Sequence, residues 1–83
     1  MNREQIFAEM ARTLVDRFEV DPDAVRLDAR LYEDLELDSI DAIDMAVKVK
    51  EMTGRRVEER ELRKIRTVAD LVDLVAKNLQ GAT

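Results

Sequence analysis

The amino-acid sequence predicts an all-α fold, with three main helices, a short helix in third place and a long first loop, all in a single domain of residues 1–83. Apolar residues recur at helical spacing in three separate segments, each opened by a capping residue. Only Phe7, Phe18 and Tyr32 are aromatic, so Ala, Val, Leu, Ile and Met must fill the interior, which favours packed helices over a sheet. With 83 residues, two of them Gly and one Pro, the chain suffices for one small core and offers few breaks.

In the first segment Asn2 and Gln5 form a capping pair, and Ile6, Met10, Leu14 and Phe18, flanked by Phe7 and Val15, mark a helix to about Phe18. Asp21-Pro22-Asp23 is the expected stop, because the residue before a proline is driven out of the helical region and proline lacks a donor. Between Val20 and Leu37 the apolar residues Val25, Leu27, Leu31, Leu35 and Leu37 are irregularly spaced among acids, which suggests a long loop pinned to the core. Asp38 can cap a second helix from Ser39 to Thr53, which Gly54 ends. A short helical turn is expected around Glu58 to Arg63. Thr67-Val68-Ala69-Asp70 has capping-box form and opens a last helix with Val68, Leu71, Val72, Val75 and Leu79 on one face, ending at Gly81. No internal repeat, low-complexity stretch or domain boundary interrupts the chain.

Composition removes several function classes. Cys and His are both absent, so disulfides, thiolate zinc sites, Cys nucleophiles and imidazole chemistry are excluded, and no metal site is expected. A hydrolase built on the carboxylates of Asp38 and Asp41 would be the enzyme reading, but no glycine-rich loop or large pocket accompanies the pair, and no enzyme is expected. The polar, charged first residues and the lack of any apolar run near the roughly 18 residues of a membrane span lead to a cytoplasmic domain as the expectation. The net charge of -5 argues against nucleic acid. From Glu19 to Asp44 ten acids accompany two bases, whereas from Met45 to Arg66 eight bases accompany four acids, so the molecule should be electrically polarised.

The second helix has more apolar surface than a small bundle needs. At about 100° per residue, Ile40, Ile43 and Val47 share one narrow stripe. Ala42, Met45, Ala46, Val49 and Met52 lie opposite, as the face turned to the first and last helices, and Asp41, Asp44, Lys48 and Glu51 fill a sector between. Either the long loop or a partner protein covers the first stripe. Asp44 and Lys48 are also spaced for an i,i+4 pair.

Ser39 stands between Asp38 and Asp41 at the opening of this helix. A serine there is usually a cap or first-turn residue, yet an exposed hydroxyl at a helix N-terminus also suits a phosphate attachment, because free amides and the positive dipole end favour the anion. The stretch Leu31-Tyr32-Glu33-Asp34-Leu35-Glu36-Leu37-Asp38-Ser39-Ile40-Asp41 resembles the phosphopantetheine attachment motif of acyl carrier proteins, written EDLGxDSLD. Val57 and Ile65-Arg66-Thr67-Val68 are similar to that family's end of loop two and the ITTV start of its last helix.

The resemblance implies a four-helix bundle of acyl-carrier type that is no catalyst. It implies a 4'-phosphopantetheine arm on Ser39, with Asp38 contributing to recognition by the magnesium-dependent phosphopantetheinyl transferase that takes the arm from coenzyme A. Partners would then be ketosynthase, reductase, dehydratase and acyl-transferring enzymes of fatty-acid or polyketide-type biosynthesis, met by a monomer through Ile40, Asp41, Ile43, Asp44, Val47, Lys48 and Lys50. Met45, Ala46, Val49, Val57, Leu62, Ile65 and Leu71 match the positions lining the acyl pocket of similar carriers; they would be apolar in any bundle.

Glu36 stands where the motif has glycine and Ile40 where it has leucine, while Lys48, Lys50, Arg55 and Arg56 make the second half of the helix and the next turn basic. These departures suggest a carrier dedicated to one pathway, and the DSID pattern with its basic stretch looks somewhat like carriers of aryl-polyene or dialkylresorcinol clusters. A D-alanyl or other aminoacyl carrier would use the same arm, and a helical adaptor would keep the fold without it. Leu35-Glu36-Leu37-Asp38 departs from the GGxS approach of peptidyl carriers.

Overall fold

In the computed structural model, which describes residues 1–80, Asn2 caps the first helix, α1 (Arg3–Phe18). The Gln5 N–H donates to Asn2 Oδ1 and the Asn2 N–H to Gln5 Oε1, both at 2.8 Å, so two amides without helical acceptors satisfy each other's side chains. Three further helices follow: α2 (Ser39–Thr53), α3 (Glu59–Lys64) and α4 (Val68–Gln80). Among the described residues no strand forms, only an isolated bridge between Arg30 and Thr67, and no helix is long and apolar enough to cross a membrane.

The first helix ends at Phe18, as expected, but a left-handed turn stops it before the proline is reached. Glu19 turns left-handed at φ 58°, the Val20 N–H donates to the Leu14 carbonyl at 3.1 Å, and buried Val20 closes the turn. Pro22 instead opens a 3₁₀ turn, Pro22–Ala24, where its fixed φ is favourable, and the Asp21 carboxylate accepts from the Asp23 N–H at 2.9 Å.

The loop from Val25 to Asp38 is pinned to the core, as its leucines suggest. Leu31, Leu35 and Leu37 are buried and Val25 partly so, whereas Leu27 stays exposed. Backbone bonds stitch the loop to the start of α4. The Leu31 N–H donates to the Arg66 carbonyl at 2.8 Å, while the Val68 and Ala69 N–H groups donate to Ala29 and Leu27 carbonyls at 3.0 and 2.9 Å. The latter two amides open α4 and have no acceptor within it, so the loop completes the helix end. Thr67 and Asp70 add the expected capping box.

Helix α4 packs against both α1 and α2. Its Val68, Leu71, Val72 and Val75 meet Ile6, Met10 and Leu14 of α1 and Met45 and Val49 of α2 in one core that includes the loop leucines. Gly54 ends α2 at φ 73°, as its position after the last apolar turn predicts. Helix α3 begins and ends one residue later than expected, with Glu61 accepting from the Glu58 N–H at 3.3 Å. The stop assigned to Gly81 lies outside the described residues.

Candidate functional site

The N-terminus of α2 is built by its own first residues. Asp38 caps the helix: the Asp41 N–H donates to Asp38 Oδ1 at 2.9 Å, and the Asp38 N–H donates to Asp41 Oδ2 at 3.1 Å. Those two amides are thereby used. Ser39 and Ile40, the first two helical residues, keep amides with no acceptor in the helix, and among the described residues nothing hydrogen-bonds the exposed Ser39 hydroxyl.

The approach to Ser39 is held from below. Leu35 and Leu37 are buried on either side of exposed Glu36, whose φ of 58° turns the chain between them, and the Leu37 N–H donates to the Leu31 carbonyl at 3.1 Å. A side-chain clasp lies just upstream. The Arg30 backbone N–H donates to Asp34 Oδ2 at 2.8 Å, and that bond, with help from the Arg30 guanidinium, holds the Asp34 carboxyl below its ordinary range. Asp34 in turn raises Arg30, whose guanidinium also meets Glu33 at 2.6 Å.

The apolar stripe of α2 is uncovered. Ile40, Ile43 and Val47 are 74%, 63% and 46% exposed, so the long loop does not pack over them. The charged sector beside the stripe is partly committed to α1. Asp44 receives a two-pronged contact from Arg17, Nε at 2.9 Å and Nη2 at 2.6 Å, and Lys48 Nζ lies 3.5 Å from Glu9. The Asp44–Lys48 pair allowed by spacing does not form, because each finds a partner across the helix interface, and the planar guanidinium fits a carboxylate better than an ammonium does. Lys50 is exposed, without an ion pair among the described residues.

On its opposite face α2 borders a narrow apolar cavity. Met45, Ala46, Val49, Val57, Leu62, Ile65 and Leu71 all line it, and so do Leu31, Tyr32, Leu37, Ala42 and Leu74. Its volume is about 20 Å³, room for a single water-sized group, so the interior is nearly close-packed. The last five were not among the expected lining residues. For Leu31 and Leu37 the available signal was apolar character inside an acidic loop, but the direction of Leu37 depends on the turn at Glu36.

A sequence model of the family described as "Phosphopantetheine attachment site" matches residues 8–75. "Acyl carrier protein 2" of Ralstonia nicotianae is 41% identical over 75 residues, which is 90% of this chain and 93% of that one. The chain belongs to the acyl carrier protein family. The fold agrees: the crystal structure of the acyl carrier protein of Thermotoga maritima superposes with a TM-score of 0.85 at 31% identity, covering 100% of this chain and 96% of its own. The acyl carrier protein of Enterococcus faecalis gives 0.77 at 26% identity, covering 94% and 99%. Members of the acyl carrier protein family are carriers and not catalysts, and their prosthetic group is phosphopantetheine. The chain accordingly works with a phosphopantetheinyl transferase and with biosynthetic enzymes.

Proposed function

We propose that residues 1–83 act as one monomeric carrier domain in the cytoplasm, with a 4'-phosphopantetheine arm joined through a phosphodiester to Ser39 Oγ. The observation that carries this reading is the uncommitted hydroxyl of Ser39, the chain's sole serine, beside two free amides at the positive end of α2. When bound, the arm supplies a terminal thiol on which acyl groups travel as thioesters. Asp38 and Asp41 are held in the capping box, so their carboxylates sit at fixed positions beside Ser39 as marks for a basic transferase surface.

Ketosynthase, reductase, dehydratase and acyl-transferring enzymes of fatty-acid or polyketide-type biosynthesis are the partners in this reading. They meet Ile40, Ile43 and Val47, an apolar strip that no other described residue covers. Asp41, Asp44, Lys48 and Lys50 border the strip, with Asp44 and Lys48 steadied by Arg17 and Glu9. The cavity beneath Met45, Ala46, Val49, Val57, Leu62, Ile65 and Leu71 is the acyl pocket in its closed form, which cargo opens by spreading the α2–α3 side. The turn after Gly54 and the six-residue α3 make that the side held by the shortest elements.

Loading with coenzyme A, magnesium and a transferase, followed by trypsin, is expected to place the arm on the peptide spanning 31–48, which contains Ser39. Modification of any other peptide overturns the assignment. The mass of the species carried in cells then identifies the cargo.

A further inference from the structure

The pole away from Ser39 is basic. Helix α2 ends at Gly54, roughly 20 Å along its axis from Ser39, and beyond it lies a cleft of about 380 Å³. Arg55, Arg56, Arg60, Lys64 and Lys77 line it, against the carboxylates of Glu58 and Glu61. Both carboxylates are committed, Glu58 to Arg60 at 3.0 Å and Glu61 to Lys77 at 3.9 Å. Arg55, Arg56 and Lys64 have no ion pair among the described residues, in a chain whose acids outnumber its bases. Asn78 completes the wall. It is 4% exposed, and its side-chain nitrogen is shut off from solvent and has no hydrogen-bond partner among the described residues.

Complementing helix ends explains part of this. Lys64 and Lys77 lie in the last turns of α3 and α4, where a cation is favoured. That role does not extend to Arg55 and Arg56, past the Gly54 cap. The free side chains in the cleft are cationic, so the ligand they fit is an anion with several acceptor oxygens. A phosphate group supplies enough to engage two guanidinium forks at once, which one carboxylate does not.

We propose that this cleft binds a phosphate group, carried either by a small anion in solution or by the headgroup of an anionic lipid. Its place opposite Ser39 leaves the attachment end of α2 free while the anion is bound. The proposal does not depend on modification of Ser39.

The test titrates the isotope-labelled full chain with inorganic phosphate and with pyrophosphate at constant ionic strength, following the Asn78 side-chain amide and the Arg55 and Arg56 backbone amides by NMR. A second arm measures sedimentation with phosphatidylcholine vesicles, with and without phosphatidic acid. Saturable shifts at those residues assign a soluble anion, and binding confined to phosphatidic acid vesicles assigns a lipid headgroup. The Arg55→Gln/Arg56→Gln variant is expected to bind at least about tenfold more weakly. Absence of saturation in both arms, or equal binding by the double variant, overturns the proposal.

Discussion

At Glu36 the backbone takes φ 58°, a left-handed conformation that costs a residue bearing a Cβ roughly 1 kcal/mol relative to glycine. The family motif has glycine there, so the position was legible as a departure, but a single sequence does not reveal the dihedral that makes the departure costly. Glu36→Gly is expected to raise unfolding stability by about 1 kcal/mol in urea titrations while leaving arm loading unchanged. An equal or lower stability would mean that the Glu36 side chain makes a compensating contact. Asp34 gives a second test. Its folded pKa is lowered, so the stability it contributes is complete above the ordinary aspartate value of about 3.9 and disappears as pH falls through the lower folded value. Asp34→Asn should therefore be less stable than wild type at neutral pH, with the difference closing below about pH 4. A difference that persists unchanged into acid would remove Arg30–Asp34 as its source.

Helix caps at Asn2, Asp38 and Thr67 were legible because capping is local, set by residues three apart. The place where α1 ends was legible as well, but what ends it was not. Its proline signal is strong, yet the left-handed turn at Glu19 depends on burying Val20, which is a tertiary event. The cross-helix contacts Arg17–Asp44 and Glu9–Lys48 escaped for the same reason, since spacing within one helix cannot show what stands opposite it. The two apolar stripes of α2 were legible, and so was the one turned to the core, whereas whether the long loop covers the other was not. That division predicts opposite outcomes for truncation. Ile43→Ala and Val47→Ala should change stability by within about 0.5 kcal/mol while slowing acyl transfer to partner enzymes. Leu71→Ala, 1% exposed in the core, should cost about 2–5 kcal/mol. Strong destabilisation by Val47→Ala, seen as a shifted urea midpoint, would show that the outer stripe serves the fold instead of a partner.

Across the whole molecule, charge and packing divide the labour between two ends. The acidic stretch from Glu19 to Asp44 leads into the Ser39 end of α2, and the basic stretch from Met45 to Arg66 occupies the other, a polarity already visible in the sequence. The size of the cavity was not visible, because composition shows which side chains are apolar and not how closely they meet. At about 20 Å³ it would admit an acyl chain only by opening, and each methylene then taken from water would return about 0.8 kcal/mol. Melting temperature should thus rise with saturated chain length, and the rise should vanish in Ala46→Phe, whose ring fills the lining. A chain-length effect that survives this substitution would place the cargo on the surface. The central claim, that Ser39 alone receives the arm, is tested most directly by intact-mass spectrometry after incubation with coenzyme A and a phosphopantetheinyl transferase. One phosphopantetheinyl increment on the wild type and none on Ser39→Ala is the predicted result, and an increment on Ser39→Ala would contradict it.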